Sequence, residues 1–276
     1  MSWHSTESVD EFLDAAGDFL RAQPVENTLL LTIARTMQVK GIHAYGPDAP
    51  IFGWLTTGDG AFLQTPPHPL LLSAAPAGRV PELAEHLVKR PLPGVNGLTA
   101  DAEAFAARWR ELTGAGNEIA MRTRLFRLGA LLPPPMPPGA ARAAGPADRD
   151  LLIDWFEAFQ DDVHGAAREN GGKLVDDKAS YGGLTVWEVD GRVVSMAGVT
   201  RNEAGAVRVA PVYTPPGLRG RGYGAAVTAA VTQAALDAGA ADVVLFTDVT
   251  NPTSNALYER LGYRPVQDRS VVEFKA

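Results

Sequence analysis

The stretch Val212-Tyr-Thr-Pro-Pro-Gly-Leu-Arg-Gly-Arg-Gly-Tyr-Gly-Ala225 takes an apolar, strand-like run through two prolines into a glycine-rich turn. An alanine-rich helical pattern from about Tyr223 to Ala238 follows at once. The first N–H groups of a helix have no partner inside it and carry the positive end of its dipole. Glycines let a phosphate approach such N–H groups closely, and Arg219 and Arg221 add positive charge. The stretch therefore predicts a phosphate or pyrophosphate binder, without choosing the cofactor.

Two familiar phosphate motifs compare poorly with it. A P-loop needs Gly-Lys-Ser or Gly-Lys-Thr, and no lysine follows here. Gly220, Gly222 and Ala225 do satisfy G-x-G-x-x-A, and Asp248 lies at the end of the next predicted strand. In the dinucleotide fingerprint, however, the first glycine closely follows the strand, whereas Pro215-Pro-Gly-Leu-Arg intervenes here. The sequence beyond is also too short for the rest of a doubly wound sheet.

Upstream of the turn, three strands are predicted at Leu184 to Val189, Arg192 to Val199 and Ala206 to Thr214, the first two joined by the hairpin signal Asp190-Gly191. Asp148 to Gln160 reads as a helix capped by Asp148, with a second helical stretch near Val163 to Asn170. Downstream come strand Asp242 to Phe246, helix Ser254 to Leu261 and a strand near Ser270 to Phe274. This is the order of a mixed α/β sheet.

Five of the six residues from 133 to 138 are proline, which favours extended geometry and ends both helix and central strand. That segment reads as a semi-rigid connector, giving domains at 1–132 and 147–276 with a linker at 133–146. The first half reads as α+β: helices Val9 to Ala22, Thr28 to Arg35, Val80 to Lys89 and Ala100 to Leu112, with strands Ile42 to Tyr45, Ile51 to Thr56, Ala61 to Gln64, Leu70 to Ser73 and Met121 to Leu128.

The motif Arg219-Gly-Arg-Gly222-Tyr-Gly224 resembles the [Gln/Arg]-x-x-Gly-x-[Gly/Ala] loop of the GNAT superfamily of N-acetyltransferases. Asn251-Pro-Thr-Ser-Asn255-Ala-Leu-Tyr258-Glu-Arg-Leu-Gly262-Tyr263 is similar to that family's next motif, in the right order and spacing. The resemblance covers roughly residues 140 to 276, and the Val-Tyr-Thr-Pro-Pro entry is most similar to the glycine N-acyltransferase-like branch. It implies acetyl-coenzyme A as acyl donor, with the pyrophosphate on Arg219, Gly220, Arg221, Gly222, Tyr223, Gly224 and Ala225. Strand residues Val212, Tyr213 and Thr214 would line the pantetheine arm, inserted where the strand carrying Pro211 splays from its neighbour. An N–H near Val212 would polarise the thioester carbonyl. Tyr258 would protonate the departing thiolate as general acid, and Asn251 and Asn255 would hold the cofactor or shape the helix start, where Ser254 is the better cap.

Some members of that family carry a glutamate base on the strand before the glycine loop; here Arg208 stands at about that place. Glu188, Asp161, Asp162, His164 and Glu203 are the other candidates, and none is assigned a catalytic role. The first half is more weakly similar to the leading domain of a group of bacterial predicted acetyltransferases, through Gly94-Val-Asn-Gly97, Ala102 to Trp109 and Met121 to Leu128. That implies tandem GNAT-like domains, a degenerate one without the glycine loop and a C-terminal one with the full acyl-CoA site.

Composition bounds the rest. Hydrophobic residues make up 46% and charged residues 21%, as in ordinary globular chains. A net charge of −7 argues against nucleic-acid binding, and no apolar run reaches membrane length. The five histidines are scattered without ligand spacing, so no metal is expected. There is no cysteine, which fits a reducing, cytoplasmic setting and leaves no acyl-cysteine route. The expectation is an N-acyltransferase that moves acetyl directly, in a ternary complex, to a primary amine on a small molecule or peptide. The alternative is a non-catalytic acyl-CoA-binding or regulatory module. Acceptor and oligomeric state are not readable from the sequence.

Overall fold

The computed structural model describes residues 2–162 and 170–275. The chain is mixed α/β and forms two compact units: residues 1–124 with 267–276, and residues 125–266. The first carries β1 (Trp3–Thr6), α1 (Val9–Ala22), α2 (Thr28–Lys40), β2 (Ile51–Leu55), β3 (Ala61–Gln64), β4 (Leu70–Leu72), α3 (Arg79–Leu87), β5 (Gly94–Leu98), α4 (Thr99–Thr113) and the start of β6 (Gly116–Leu128). The second carries β7 (Ala140–Ala143), α5 (Arg149–Asp162), α6 (Gly171–Ala179), β8 (Leu184–Val189), β9 (Arg192–Val199), β10 (Ala206–Tyr213), α7 (Tyr223–Asp237), β11 (Asp242–Asp248), α8 (Pro252–Arg260) and the start of β12 (Tyr263–Lys275). The order strand, two helices, three strands, helix, strand, helix, strand thus occurs twice.

In the first unit β1, β2, β3 and β4 pair antiparallel in succession, and β4 pairs parallel with β5. The last strand of this sheet comes from the end of the chain, with Arg269 to Glu273 antiparallel to β5. One core lies among Phe62, Leu83, Val95, Phe105 and Trp109, and a second lies under α1 and α2 around Phe12, Leu20, Leu30 and Phe52. Both follow from helices with one apolar face laid on strands.

In the second unit β7, β8, β9 and β10 are antiparallel and β10 is parallel to β11. Helix α7 packs its alanine and valine face on one side, with Val207, Val227 and Leu245 fully or nearly buried. Helices α5 and α6 cover Val186, Met196 and Tyr213 on the other. The hairpin at Asp190-Gly191 forms as expected, with φ of 47° and 74°.

Several expectations are corrected. The unit boundary falls at 124/125, and the proline-rich segment lies inside the second unit. Its restriction ends at Pro138, so Ala140–Ala143 is free to pair with β8 as β7. The Trp187 indole N–H donates to the Pro138 carbonyl at 2.9 Å, and Gly139 (φ 103°) sits so close that a Cβ would lie 2.2 Å from the Glu188 carbonyl oxygen. Residues 42–45 form turns, because α2 continues to Lys40 and Gly41 (φ 92°) ends it. Strands β1 and β5 were not anticipated. Most of the helix expected near 163–170 lies outside the described residues, and Asn170 instead caps α6 by accepting from the Lys173 N–H. Asp148 does not cap α5: it sits in a short 3₁₀ turn, accepts from the Gly145 N–H and pairs with Arg142.

Candidate functional site

Strand β10 pairs with β11 only from Ala206 to Arg208, whose partner is Val244, although both strands continue. On its other side β10 shifts register against β9 between Val209 and Val212. Pro211, after a cis peptide, lies in that irregularity and lacks an N–H for the ladder. Gly198 makes room for the irregularity, because a Cβ there would stand 2.8 Å from the Ala210 carbonyl oxygen. The result is an opening between Val209–Tyr213 and the end of β11.

The opening leads to the glycine turn. Pro216–Leu218 makes one 3₁₀ turn, and Gly220 and Gly222 take φ of 78° and 85°, the left-handed region that favours glycine. Helix α7 starts from Gly222 without a side-chain cap. The first backbone bond back to the turn is Ala226 N–H to the Gly222 carbonyl, so among the described residues the N–H groups of Tyr223, Gly224 and Ala225 have no acceptor. Gly224 allows a close approach, since a Cβ would lie 3.3 Å from Thr214 Oγ1. An anion placed here meets three aligned N–H groups and the dipole of a 15-residue helix.

The two arginines of the turn differ. Arg219 is committed to the protein: Nε donates to the Thr214 carbonyl at 2.9 Å and Nη2 to Asp162 at 2.6 Å. Arg221 donates only to the Gly217 carbonyl, at 3.3 Å, and has no carboxylate partner among the described residues. Arg221 therefore keeps its charge uncompensated among the described residues, whereas Arg219 ties the turn to Thr214 and Asp162. The side chains of Tyr213 and Tyr223 are buried in the core, so only their main chains can face a ligand.

At the start of α8, Asn251 is the cap rather than Ser254: its Oδ1 accepts from the Ser254 N–H at 3.0 Å. Asn255 Nδ2 donates to the carbonyls of Asp248, Val249 and Asn251, which fixes the amide and leaves Oδ1 buried with no partner. Tyr258 packs on Phe126 and Tyr263, with ring centroids 6.5 and 6.1 Å away. Burial pushes its phenol up to about 12.

The other candidates among the described residues, none of them assigned as a base, all have partners of their own. Glu188 accepts from Arg142 at 2.7 Å, and Arg142 also holds Asp148. Asp162 belongs to Arg219, Asp161 closes α5, and Glu203 sits in a turn paired with Ala206. His164 lies outside the described residues. Arg208, at the apex of the opening, is tied through its N–H and carbonyl to Thr200.

The sequence reading named Thr214 but missed the residue it is bonded to, Ser195, and a cluster around the end of β9. There the Tyr181 hydroxyl and Lys178 both donate to the Val199 carbonyl, and Arg201 lies 4.0 Å over the Tyr181 ring. Burial pushes the Tyr181 phenol up. None of these residues stands in a sequence motif.

Residues 147–263 match the acetyltransferase (GNAT) family. That span holds the opening, the glycine turn and α8. No curated protein matches the sequence. Among solved structures, the chain is similar to a GCN5-related N-acetyltransferase from Sphaerobacter thermophilus, with 17% identity and a TM-score of 0.64 over 99% of this chain and 95% of that one. A GNAT-family acetyltransferase from Colwellia psychrerythraea gives 12% identity and a TM-score of 0.60 over 99% of each chain. A GCN5-related N-acetyltransferase from Kribbella flavida gives 20% and 0.56 over 88% of this chain and 95% of that one. At these identities the likeness is one of fold, and it extends over nearly the whole chain. Among the described residues no group of three or more acidic or histidine side chains could hold a metal, and no helix is long and apolar enough to cross a membrane.

Proposed function

We propose that this protein transfers an acetyl group from acetyl-coenzyme A directly to a primary amine of a small-molecule or peptide acceptor, in a ternary complex. The observation that carries this reading is the end of β10–β11 pairing at Arg208, directly ahead of a glycine turn whose helix N–H groups lack acceptors. An extended, amide-bearing arm fits an open strand edge, and a pyrophosphate fits the turn. The orphaned Asn255 Oδ1 supports the same fit, as a buried acceptor that needs a donor from outside the fold.

Bound acetyl-coenzyme A would supply the activated acyl thioester. Arg221 and the N–H groups of Tyr223, Gly224 and Ala225 would hold the phosphates, while Arg219 keeps the turn in shape. Main-chain groups of Val212 and Thr214 would align the arm, and the Val212 N–H would polarise the carbonyl. Tyr258 is protonated at neutral pH and suits proton donation to the departing sulfur. The acceptor amine loses its proton directly or through water, and no side chain is assigned as its base. Without cysteine, transfer proceeds in one step between the bound partners.

The first unit supports a second part of the proposal, that it is a degenerate copy of the same fold without a cofactor. Its element order is the same, but the β4–α3 turn is shorter and has a single left-handed glycine, Gly78. The place where β4 and β5 stop pairing is filled by Arg269, whose Nη2 donates to the carbonyls of Leu72 and Asn96. One acyl-CoA per chain is the consequence.

Titration calorimetry with acetyl-coenzyme A tests the cofactor, and thiol release over amino acids, polyamines, aminoglycosides and peptides tests transfer. Absence of binding overturns the reading. Binding without thiol release on any acceptor favours the module without turnover, which the lack of an assignable base also supports.

A further inference from the structure

The first unit has a cleft of about 560 Å³ at the end of the sheet where α3 leaves off, with Ser5, Asp48, Gln64, His86, Lys89 and Arg90 among its lining residues. Most arginines with fixed geometry in this chain face a carboxylate: Arg79, Arg108, Arg124, Arg142 and Arg149 all do. Arg90 does not. Its Nη2 donates to the Ala49 carbonyl at 2.7 Å and its Nε to Gln64 Oε1 at 3.4 Å, both neutral acceptors. Gln64 is itself 1% exposed and anchored through Nε2 to the His68 carbonyl, so the guanidinium is aimed by a buried side chain. Lys89 beside it has no ion pair among the described residues, and Asp48 on the wall lies outside ion-pair distance of both. Ser5 Oγ lies 2.5 Å from His86 Nε2, which adds a fixed hydroxyl and ring to the cleft. Burial, with His4 close by, holds the His86 imidazole below its ordinary pKa, and hence neutral.

We propose that this cleft binds a small organic anion, its phosphate or carboxylate group seated on Arg90 and Lys89 and its body on the apolar surface of Ile51 and Leu87. An oriented guanidinium facing only neutral oxygens keeps its full charge for a ligand, and an oxyanion is the group its planar fork fits. The proposal is independent of the acyl-transfer reading, because every residue it uses lies in the first unit.

Free phosphate would also meet the glycine turn, so the readout must be local. The Cε1–H signal of His86 in NMR spectra of the full chain, assigned by its loss in His86→Gln, supplies one. Titration with inorganic phosphate and, separately, acetate at constant ionic strength is expected to shift that signal saturably. The stronger of the two identifies the anion class. Arg90→Gln is expected to weaken the titration by roughly tenfold, the loss of a charge-assisted contact. Lys89→Gln, at an exposed position that cannot upset folding, should weaken it several-fold. A His86 signal that stays still, drifts without saturation, or titrates alike in wild type and both variants overturns the proposal.

Discussion

Ser195 Oγ lies 2.8 Å from Thr214 Oγ1 and 3.0 Å from the Tyr213 carbonyl oxygen, and Ser195 is wholly buried. A hydroxyl has one proton to give. Ser195 spends it on Tyr213, so Thr214 must donate to Ser195 and turns its lone pairs toward the opening. The hydroxyl above the glycine turn is thereby fixed as an acceptor, suited to an amide N–H of the ligand. Ser195→Ala removes that order and leaves a carbonyl short of a donor, costing roughly 1–3 kcal/mol of stability. We expect KM for acetyl-coenzyme A to rise about fivefold to tenfold with kcat nearly unchanged. Steady-state kinetics beside a urea melt checks this, and an unchanged KM would remove Ser195 from the site.

The two kinds of glycine in the turn predict different losses. A Cβ on Gly222 would make only ordinary contact with Pro137, at 3.8 Å, but φ is 85°, so Gly222→Ala meets backbone strain of about 1 kcal/mol or more. Gly224 lies at the start of α7, where alanine is favoured, but its Cβ would crowd Thr214 Oγ1 at 3.3 Å. Gly224→Ala should therefore keep or raise the melting temperature while weakening acetyl-coenzyme A. Gly222→Ala should lower both. Calorimetry and thermal melts on the pair separate the effects, and parallel behaviour of the two variants would contradict the assignment.

What could be read in advance was whatever local chemistry decides. The hairpin at Asp190-Gly191, the glycine turn and the α8 motif all have residue types that their backbone geometry requires. What escaped was decided by distant backbone. In β7, an alanine-arginine run after prolines that only the family resemblance marks as a strand start, the strand forms because β8 offers an edge and Gly139 can lie against Glu188. β5 carries two glycines that weaken any strand pattern; a Cβ on Gly94 would come within 2.3 Å of the Val272 carbonyl oxygen. The first unit's last strand lies some 170 residues along the chain from β5, as Arg269 and Asn96 illustrate, so no composition shift at 133–138 could mark the boundary. In the site, the chain turn hid the cap: Asn251 precedes Pro252, which has no N–H, and reaches Ser254 instead.

Tyr258 gives a prediction in pH. Burial raises its phenol from 10 to about 12, so the folded state favours the protonated form. Its contribution to stability is full below about pH 10 and is lost as pH rises through about 12. Turnover should accordingly show no loss from Tyr258 ionisation between pH 7 and 10. Tyr258→Phe should lower kcat by about 10²-fold or more, the usual scale of general-acid assistance, with little change in KM for acetyl-coenzyme A. Rapid-mix thiol release across that pH range checks both. Wild-type turnover in the phenylalanine variant would end the acid role.

Arg269 carries the last prediction, because it occupies in the first unit the place the opening occupies in the second. It is 2% exposed, and burial lowers its guanidinium to about 10 despite three hydrogen bonds to Leu72 and Asn96. Asp101 is the acid coupled to it; burial raises the Asp101 carboxyl, while Arg269 and the Ala75 N–H oppose that rise. Arg269→Met leaves the buried acceptors of Leu72 and Asn96 bare and Asp101 without its counter-charge, a loss of about 1–3 kcal/mol on the scale of buried groups left unsatisfied. The Asp101 carboxyl then rises further. A raised acid stabilises fully below its unfolded pKa and loses that contribution as pH climbs through the folded value, so Arg269→Met should be less stable at pH 7 than at pH 5. Adding Asp101→Asn should remove that pH dependence and recover part of the loss, which urea melts of the four proteins measure as a double-mutant cycle. If Arg269 is a plug in a cofactor-free copy, calorimetry should find one acetyl-coenzyme A per chain in wild type. Two equal sites in wild type would refute the plug.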